Sequence, residues 1–479
     1  MKDKHQTVPV QKNMDLLLSI DSLTAEGMGV GRYNGFTVMV PGALPGEEVY
    51  THIVKLMKNY AIGKCLKIQK ASPTRVEPLC PNYEKCGGCQ LMHLSYEEQL
   101  KAKRETVLSA VRRIGQFTED EIPDRIIENT RGMEDPIYYR NKAQFPVQMQ
   151  YGGLIHGFYA PHSHRLIPVT DCMIQSRTAN ALAENITRYA DSLGMSAYDE
   201  QSGKGMLRHI LIRDDEQTEE VSVCLVINQK KLPHQENWIR FAQKEGITSF
   251  SININQNRNN VILGKETKIL YGKPYMTAKI GDLSYHVSPV AFFQVNSRQT
   301  KVLYDLVKEL IDPQEEDTVW DIYCGAGTIG LYLAKYVRMI YGVEVVPEAI
   351  ENAHDNMRLN GITNAEYYVG KAEETVPEKL KSGIRVDKAV IDPPRSGCDK
   401  ALLDALLSME PKRIVYVSCD PATLARDLKV LCAAYQIERI CPVDMFPHTG
   451  HVETVCLLYR QKKDFISVPY EPKDVDYLR

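Results

Sequence analysis

The sequence predicts a multidomain α/β protein with a small N-terminal β-barrel, a mixed α/β central domain and a Rossmann-like C-terminal domain. At 479 residues the chain exceeds the size at which one hydrophobic core usually splits. Residues 10–70 alternate short β-patterned runs with glycine turns, and residues 318–330 pass from an apolar strand through a glycine turn into a helix. We expect domains at residues 1–70, 71–282 and 283–462, followed by a polar tail at 463–479.

The predicted barrel combines basic and aromatic side chains. Residues 1–113 hold 16 Lys/Arg and 11 Asp/Glu, or +5, so the remainder carries −8 of the net charge of −3. Basic groups suit phosphates and aromatic rings suit bases, which favours RNA binding over a docking role or a merely solvated face. The residues concerned are Lys55, Lys58, Lys64, Lys67, Lys70, Tyr33, Phe36 and Tyr60.

Four of the twelve cysteines have the spacing of a ligand set: Cys80, Cys86, Cys89 and Cys172. The run C-x5-C-G-G-C brings three thiols together, and its glycines allow the backbone to fold tightly around a bound centre. Structural zinc and an iron–sulfur cluster are equally compatible with this spacing. A disulfide framework is not expected in a cytoplasmic protein of this size.

A helix is predicted at residues 95–115, with Ser95 as N-cap, Glu98 completing a capping box and Gly115 as C-cap. From Tyr138 to about Leu270, aromatic and β-branched segments alternate with turns. This pattern predicts a mixed α/β domain, and no catalytic signature stands out in it.

The C-terminal domain is organised around the glycine turn. Gly325, Gly327 and Gly330 fit G-x-G-x-x-G, which lets backbone N–H groups approach a nucleotide-like ligand. Successive predicted strands then end at or just before three reactive side chains: Glu344, Asp392 and Cys419. Because open α/β sheets bind ligands at the carboxyl ends of their strands, we place the active site there. The loop alone would serve NAD equally well.

Five segments together resemble the S-adenosylmethionine-dependent RNA 5-methyluridine methyltransferases. They are F-F-Q-V-N, D-I-Y-C-G-A-G-T-I-G, I-D-P-P-R-S-G, V-S-C-D-P and P-H-T-G-H-V-E. The front end resembles a TRAM domain, an OB-like barrel, and with the four cysteines it is similar to the branch that methylates 23S ribosomal RNA and carries a 4Fe-4S cluster. The resemblance covers nearly the whole chain.

The resemblance implies roles for individual residues. Cys419 is the implied nucleophile and Glu453 the base. The implied contacts to S-adenosylmethionine are Gln294, Tyr323, Glu344 and Asp392. The implied ligands of the 4Fe-4S cluster are Cys80, Cys86, Cys89 and Cys172, so the resemblance, and not the spacing, favours iron–sulfur over zinc.

This reaction needs a thiol and a base. Uracil C5 attacks a methylsulfonium only after a thiolate has added to C6, and a base must then remove the C5 proton so that the thiol can leave. A buried strand-end thiol and a surface carboxylate are the plain readings of Cys419 and Glu453. His448 and His451 are the alternative bases. Arg395 follows D-P-P where amine-directed methyltransferases place an aromatic residue, which disfavours methylation of an exocyclic amine.

RNA is the expected partner, with 23S rRNA as substrate, and neither DNA nor a membrane is expected. The alternatives are the same reaction on the T-loop uridine of tRNA, a cytosine-directed enzyme, a non-catalytic ribosome assembly factor and an iron–sulfur redox sensor. The N-terminus has no apolar run typical of a signal peptide, and no 18-residue apolar segment occurs. We therefore expect a cytoplasmic monomer.

Overall fold

The computed structural model describes residues 8–150 and 152–461, so the predicted polar tail at 463–479 lies outside the described residues. The N-terminal part is a closed barrel with the strand order β1-β2-β3-β5-β4. Inward and outward side chains alternate in β1, where Leu16, Leu18 and Ile20 are buried. The predicted small barrel is confirmed. Its strands are β1 (Asp15–Leu23), β2 (Gly29–Tyr33), β3 (Phe36–Val40), β4 (Glu48–Leu56) and β5 (Tyr60–Lys70).

Helix α1 (Tyr96–Arg113) follows the cysteine-rich segment. Ser95 occupies the predicted N-cap position, but the predicted capping box is wrong, because the Ser95 side chain makes no capping hydrogen bond and Glu98 pairs with Lys101. Val107 and Val111 of α1 are buried in a core that they share with the C-terminal sheet. Helix α1 lies within residues 71–282 but packs on the C-terminal sheet. The assignment of residues 71–282 to one central domain stays a prediction.

The central sheet has seven strands in the order β12-β11-β10-β9-β6-β7-β8. Strands β9 and β10 are buried along their whole length, as expected at the centre of a covered sheet. Helices α2 and α3 bury their apolar sides against it. The elements are β6 (Lys142–Gln150), β7 (Gly153–Tyr159), β8 (Leu166–Pro168), α2 (Arg177–Ser192), β9 (Leu207–Asp214), β10 (Val221–Ile227), α3 (Gln235–Lys244), β11 (Ser249–Ile254) and β12 (Glu266–Gly272).

A hairpin and a helix connect this sheet to the C-terminal one. Strands β13 (Met276–Ile280) and β14 (Leu283–Val287) pair with each other, and their buried side chains join the core of the C-terminal sheet. Helix α4 (Ser297–Ile311) has Asn296 as its N-cap, and the Asn296 side chain accepts a hydrogen bond from the Gln299 N–H.

The C-terminal sheet has the order β17-β16-β15-β18-β19-β21-β20. Its first five strands are parallel, and β21 is antiparallel to both of its neighbours. The chain order reverses beside β15, so a crevice opens at the carboxyl ends of β15 and β18. The elements are β15 (Thr318–Ile322), α5 (Thr328–Ala334), β16 (Met339–Glu344), α6 (Pro347–Leu359), β17 (Ala365–Val369), α7 (Ala372–Lys381), β18 (Lys388–Ile391), α8 (Lys400–Met409), β19 (Arg413–Ser418), α9 (Pro421–Leu431), β20 (Tyr435–Val443) and β21 (Glu453–Arg460).

None of the helices within the described ranges combines the length and the apolar character needed to cross a bilayer.

Candidate active site

The glycine turn after β15 is held by two carboxylates. The Gly330 N–H donates to Asp321 Oδ2 at 2.7 Å, and a Cβ at Gly330 would lie 2.8 Å from that oxygen. The Gly325 N–H donates to Glu344 Oε2 at 3.2 Å. Burial, and then the Glu344 carboxylate, raise the pKa of Asp321 to about 7. The turn therefore depends on glycine, and Glu344 is tied to it directly.

A cleft of about 780 Å³, large enough for a nucleoside-sized ligand, lies at the carboxyl ends of β15 and β16, and Gly325, Gly327 and Gly330 of the turn are not part of its lining. Its lining includes Tyr323, which has a left-handed backbone with φ of 64°, and Glu344. Of the four residues implied as cofactor contacts, the cleft brings these two together. Gln294 and Asp392 are not part of its lining. Gln294 lies before α4, where its backbone carbonyl accepts a hydrogen bond from Asn141 Nδ2 at 3.1 Å.

Strand pairing brings Cys419 and Glu453 together. Ser418 at the end of β19 pairs with Thr454 in the antiparallel strand β21. Cys419 follows Ser418 and Glu453 precedes Thr454, so both lie at the same level of the sheet edge. Asp392 directly follows the adjacent strand β18 and reaches the same edge. Residues separated by 34 positions in the sequence thus form one group with Asp392.

The electrostatics of this group favour protonated side chains. Burial raises the pKa of Glu453 to about 8, with Asp392 raising it further and Arg395 opposing. Burial, then Glu453 and Asp392, raise the pKa of the Cys419 thiol to about 11, again against Arg395. Asp392 is partly exposed as a residue, but its carboxyl group is surrounded by protein. This burial, and then the charge of the Asp321 carboxylate, raise the pKa of Asp392 to about 7. A cation at this edge would stabilise the charged forms of all three groups.

Arg395 is the residue whose role the sequence did not reveal. Its exposed guanidinium lowers the pKa of both Cys419 and Glu453. The sequence did contain a sign of this role, because Arg395 follows Asp392 by three residues in D-P-P-R. A turn directly after a strand keeps its side chains at the same edge of the sheet as the strand end. We interpret Arg395 as the positive group of the site.

The two histidines of P-H-T-G-H-V-E have different environments. His448 is buried, and burial lowers its pKa to about 4, so its ring is neutral. Gln99 Nε2 donates to His448 Nδ1 at 3.2 Å. His451 is exposed, and its pKa is lowered by partial burial, then by Arg395 and other cations. A neutral histidine held by a glutamine is suited to a structural position in the loop.

The four cysteines implied as cluster ligands are neighbours. Burial, then the thiols of Cys172, Cys86 and Cys80, raise the pKa of Cys89. The Gly88 N–H donates to Cys86 Sγ at 3.4 Å. A backbone N–H in this position stabilises a negatively charged sulfur. In residues 8–150 and 152–461, however, no group of three or more His, Cys, Asp or Glu side chains is arranged so that it could hold a metal ion. The donor chemistry fits a thiolate-held centre, whereas the arrangement of the side chains is not that of bound ligands.

The sheet order, the glycine turn and the acidic strand ends define the C-terminal part as a nucleotide-cofactor-binding methyltransferase fold. Residues 95–461 match the tRNA (Uracil-5-)-methyltransferase family, and this chain belongs to that family. Residues 11–66 match the TRAM domain, in agreement with the five-stranded barrel. The protein is therefore an RNA uracil-C5 methyltransferase that uses S-adenosylmethionine.

Similar proteins agree with this assignment over nearly the whole chain. RNA methyltransferases of Clostridium tetani and Halalkalibacterium halodurans are 45% and 44% identical to it, over 95% of this chain in each case and 99% and 98% of theirs. A solved structure of Pyrococcus abyssi tRNA (uracil-54, C5)-methyltransferase in complex with S-adenosyl-L-homocysteine has a TM-score of 0.73 and 28% identity. That likeness covers 92% of this chain and 100% of the other.

Proposed function

We propose that this enzyme methylates uridine C5 in 23S rRNA through a covalent adduct between Cys419 and uracil C6, giving 5-methyluridine. The observation that carries the proposal is the pairing of β19 with β21, which sets the Cys419 thiol opposite the buried carboxyl of Glu453. Neither a structural thiol nor a surface carboxylate accounts for this juxtaposition.

The proposed steps follow from these two residues. The Cys419 thiolate adds its electron pair to C6, and the displaced pair of the C5–C6 double bond makes C5 nucleophilic. C5 then takes the methyl group that S-adenosylmethionine supplies when bound, and the electron pair of the broken methyl–sulfur bond remains on the cofactor sulfur. Glu453 accepts the C5 proton, the C5–C6 double bond re-forms, and the C6–S bond breaks to return the thiolate. The proton taken up by Glu453 is released to solvent.

Deprotonation of the thiol is the demanding step in the free enzyme, because the pKa of Cys419 is about 11. When bound, S-adenosylmethionine supplies the methyl group and a positive charge on sulfur. A positive charge near Cys419 and Glu453 favours their ionised forms, as Arg395 already does. We therefore expect the site to become reactive when cofactor and RNA are bound.

For the cofactor we propose Tyr323 and Glu344 as contacts within the cleft, with Gln294 and Asp392 as contacts beside it. Glu344 ends β16, where a carboxylate in a doubly wound sheet can accept both ribose hydroxyls. The pKa of Asp392 is about 7, so this residue can exchange a proton or face a cation at neutral pH.

The TRAM domain and the four cysteines support 23S rRNA as substrate, because the resemblance links this combination to the rRNA-modifying branch. Tyr50 of the barrel is exposed and pairs with Lys67, so an aromatic ring and a cation share one outer face. The second candidate is a tRNA uridine, because the Pyrococcus abyssi structure described above is a tRNA methyltransferase.

We also propose that Cys80, Cys86, Cys89 and Cys172 hold a 4Fe-4S cluster. The supporting observations are the all-thiol donor set and the effect of the other three thiols on the pKa of Cys89. Four bare thiolates repel one another, and a positively charged centre removes this repulsion.

The test uses Glu453→Gln with RNA and methyl-labelled cofactor. Gln cannot accept the C5 proton, so methylated RNA should remain attached to Cys419 as an adduct that survives denaturing electrophoresis. The control is the Cys419→Ala, Glu453→Gln double variant, which should form none. Release of methylated RNA by Glu453→Gln at the parent rate would assign the base elsewhere. Running 23S rRNA fragments and tRNA transcripts in parallel decides between the two substrates.

A further inference from the structure

Helix α1 presents three polar side chains on one side. Tyr96, Gln99 and Lys103 are spaced by three and four residues, which places them on a single helical face. Gln99 and Lys103 are each only 1% exposed, and their burial demands polar partners. These partners lie in the segment between β20 and β21, residues Asp444–Val452, which we name the base loop because it leads directly into Glu453.

Each of these three side chains bonds to the base loop, and Tyr96 and Gln99 make one further bond each, to the Met133 N–H and the Leu94 carbonyl. Lys103 forms an ion pair with Asp444, which is 0% exposed, and donates to the Phe446 carbonyl at 3.0 Å. The Tyr96 hydroxyl donates to the other Asp444 oxygen at 2.8 Å. Gln99 holds His448 at two points, donating to its ring and accepting from its backbone N–H at 3.0 Å. One helical face thus fixes the first half of the loop, from Asp444 to His448.

Three further carbonyls of the loop are fixed from other directions. Asn296 Nδ2 donates to the Met445 carbonyl at 3.0 Å, and the Tyr139 hydroxyl donates to the Pro447 carbonyl at 3.1 Å. The N–H groups of Gln90 and Leu91 both donate to the His448 carbonyl. Loop backbone that is hydrogen-bonded to several packed elements has few alternative conformations.

We propose that Tyr96, Gln99 and Lys103 are positioning residues for the removal of the C5 proton by Glu453, an inference that rests on the proposed function above. The reason lies in chain connectivity. Glu453 is the first residue after the base loop, whereas Cys419 follows a different strand, β19, and precedes α9. Loosening the α1 contacts therefore displaces the base relative to the nucleophile. Small displacements of a catalytic group slow its step strongly.

The displacement has a distinct kinetic signature. Addition of Cys419 and methyl transfer do not need Glu453, but elimination does. A positioning defect should therefore leave methyl transfer nearly unchanged and slow the release of methylated RNA. A purely structural defect lowers RNA binding, methyl transfer and release together.

The experiment compares Gln99→Met with Lys101→Met in a single-turnover assay with methyl-labelled cofactor. Gln99→Met keeps the side-chain length but loses both bonds to His448. Lys101 lies on the same helix with its side chain 59% exposed, and among the described residues it pairs with Glu97 and Glu98 alone, so it is the matched control. For Gln99→Met we expect release slowed about tenfold, methyl transfer within about twofold of the parent, and a labelled protein–RNA adduct on a denaturing gel. Lys101→Met should behave like the parent.

Tyr96→Phe is the second variant, to be used if Gln99→Met does not fold. It removes a single hydroxyl group and the hydrogen bond that this hydroxyl donates to Asp444. The same adduct is expected, at a lower level. Release at the parent rate, or a parallel fall in both steps without an adduct, overturns the inference. Glu453→Gln in the same assay separates the two proposals: if it forms the adduct and the α1 variants do not, only the positioning role fails. If Glu453→Gln forms no adduct, the proposed role of Glu453 as the base fails, and the positioning role fails with it.

Discussion

Replacing Glu453 by Gln should stabilise the protein near neutral pH. Glu453 is 7% exposed, and burial with the neighbouring Asp392 raises its pKa from 4.5 to about 8. Folding therefore keeps a proton on a carboxyl that is ionised in the unfolded chain. Gln is neutral at every pH and has nearly the same shape, so it avoids this cost.

The expected magnitude follows from the pKa shift. Between pH 4.5 and 8 the folded state binds more protons than the unfolded state, so the free energy of unfolding of the parent falls as the pH rises through this window. One pKa unit corresponds to about 1.4 kcal/mol, so about 2 to 4 kcal/mol should be lost between pH 4.5 and 7. The difference between variant and parent should grow over this range and level off above pH 8.

The assay is urea denaturation at pH 5, 6, 7 and 8, followed by tryptophan fluorescence. The chain contains two tryptophans, Trp238 and Trp320, and Trp320 lies in β15, an interior strand of the C-terminal sheet. A Trp238→Phe background makes the signal specific for that sheet. Both proteins contain the same other titrating groups, so their difference isolates position 453.

A stability difference that does not change with pH would refute the reasoning, because it would mean that Glu453 is ionised in the folded protein. A difference of the opposite slope would show that a cation, with Arg395 as the nearest candidate, dominates the site.

Four further outcomes are expected. Cys419→Ala should abolish methyl transfer while cofactor affinity, measured by calorimetry, stays within about threefold, since the thiol acts on the RNA; turnover within tenfold of the parent would contradict this. Adduct formation by the parent should accelerate from pH 7 to 9 because the pKa of Cys419 is about 11, and a flat single-turnover profile would contradict a protonated resting thiol. Gly330→Ala should weaken cofactor binding about tenfold, because its Cβ would lie 2.8 Å from Asp321 Oδ2 and shift the turn; equal affinity by calorimetry would show that the turn adapts. Cys86→Ser should lose iron and sulfide and unfold at lower temperature, and a parent-like iron content would remove Cys86 from the proposed ligands.

Several features of this protein follow from short stretches of sequence. The alternation of apolar and polar residues in β1 gives a barrel strand, since side chains of a strand point to opposite faces. The glycine turn after β15 could also be predicted from the sequence, because glycine alone tolerates the close approach of Asp321 to Gly330. Local chemistry decides both. The capping box at Ser95 was local too, and it was wrong, because Lys101 competes for the Glu98 carboxylate.

The group formed by Cys419 and Glu453 was decided by tertiary structure. The sequence supplies the residue types and, by resemblance, their roles, but their approach depends on β21 entering antiparallel between β19 and β20. A shift of this pairing by one residue would turn Glu453 to the other face of the sheet. The same holds for Lys103 and Asp444, which lie 341 positions apart and meet only in the packed core. Pairing register and burial depend on the whole chain, and for that reason the raised pKa values and the α1 contacts appear only in the folded protein.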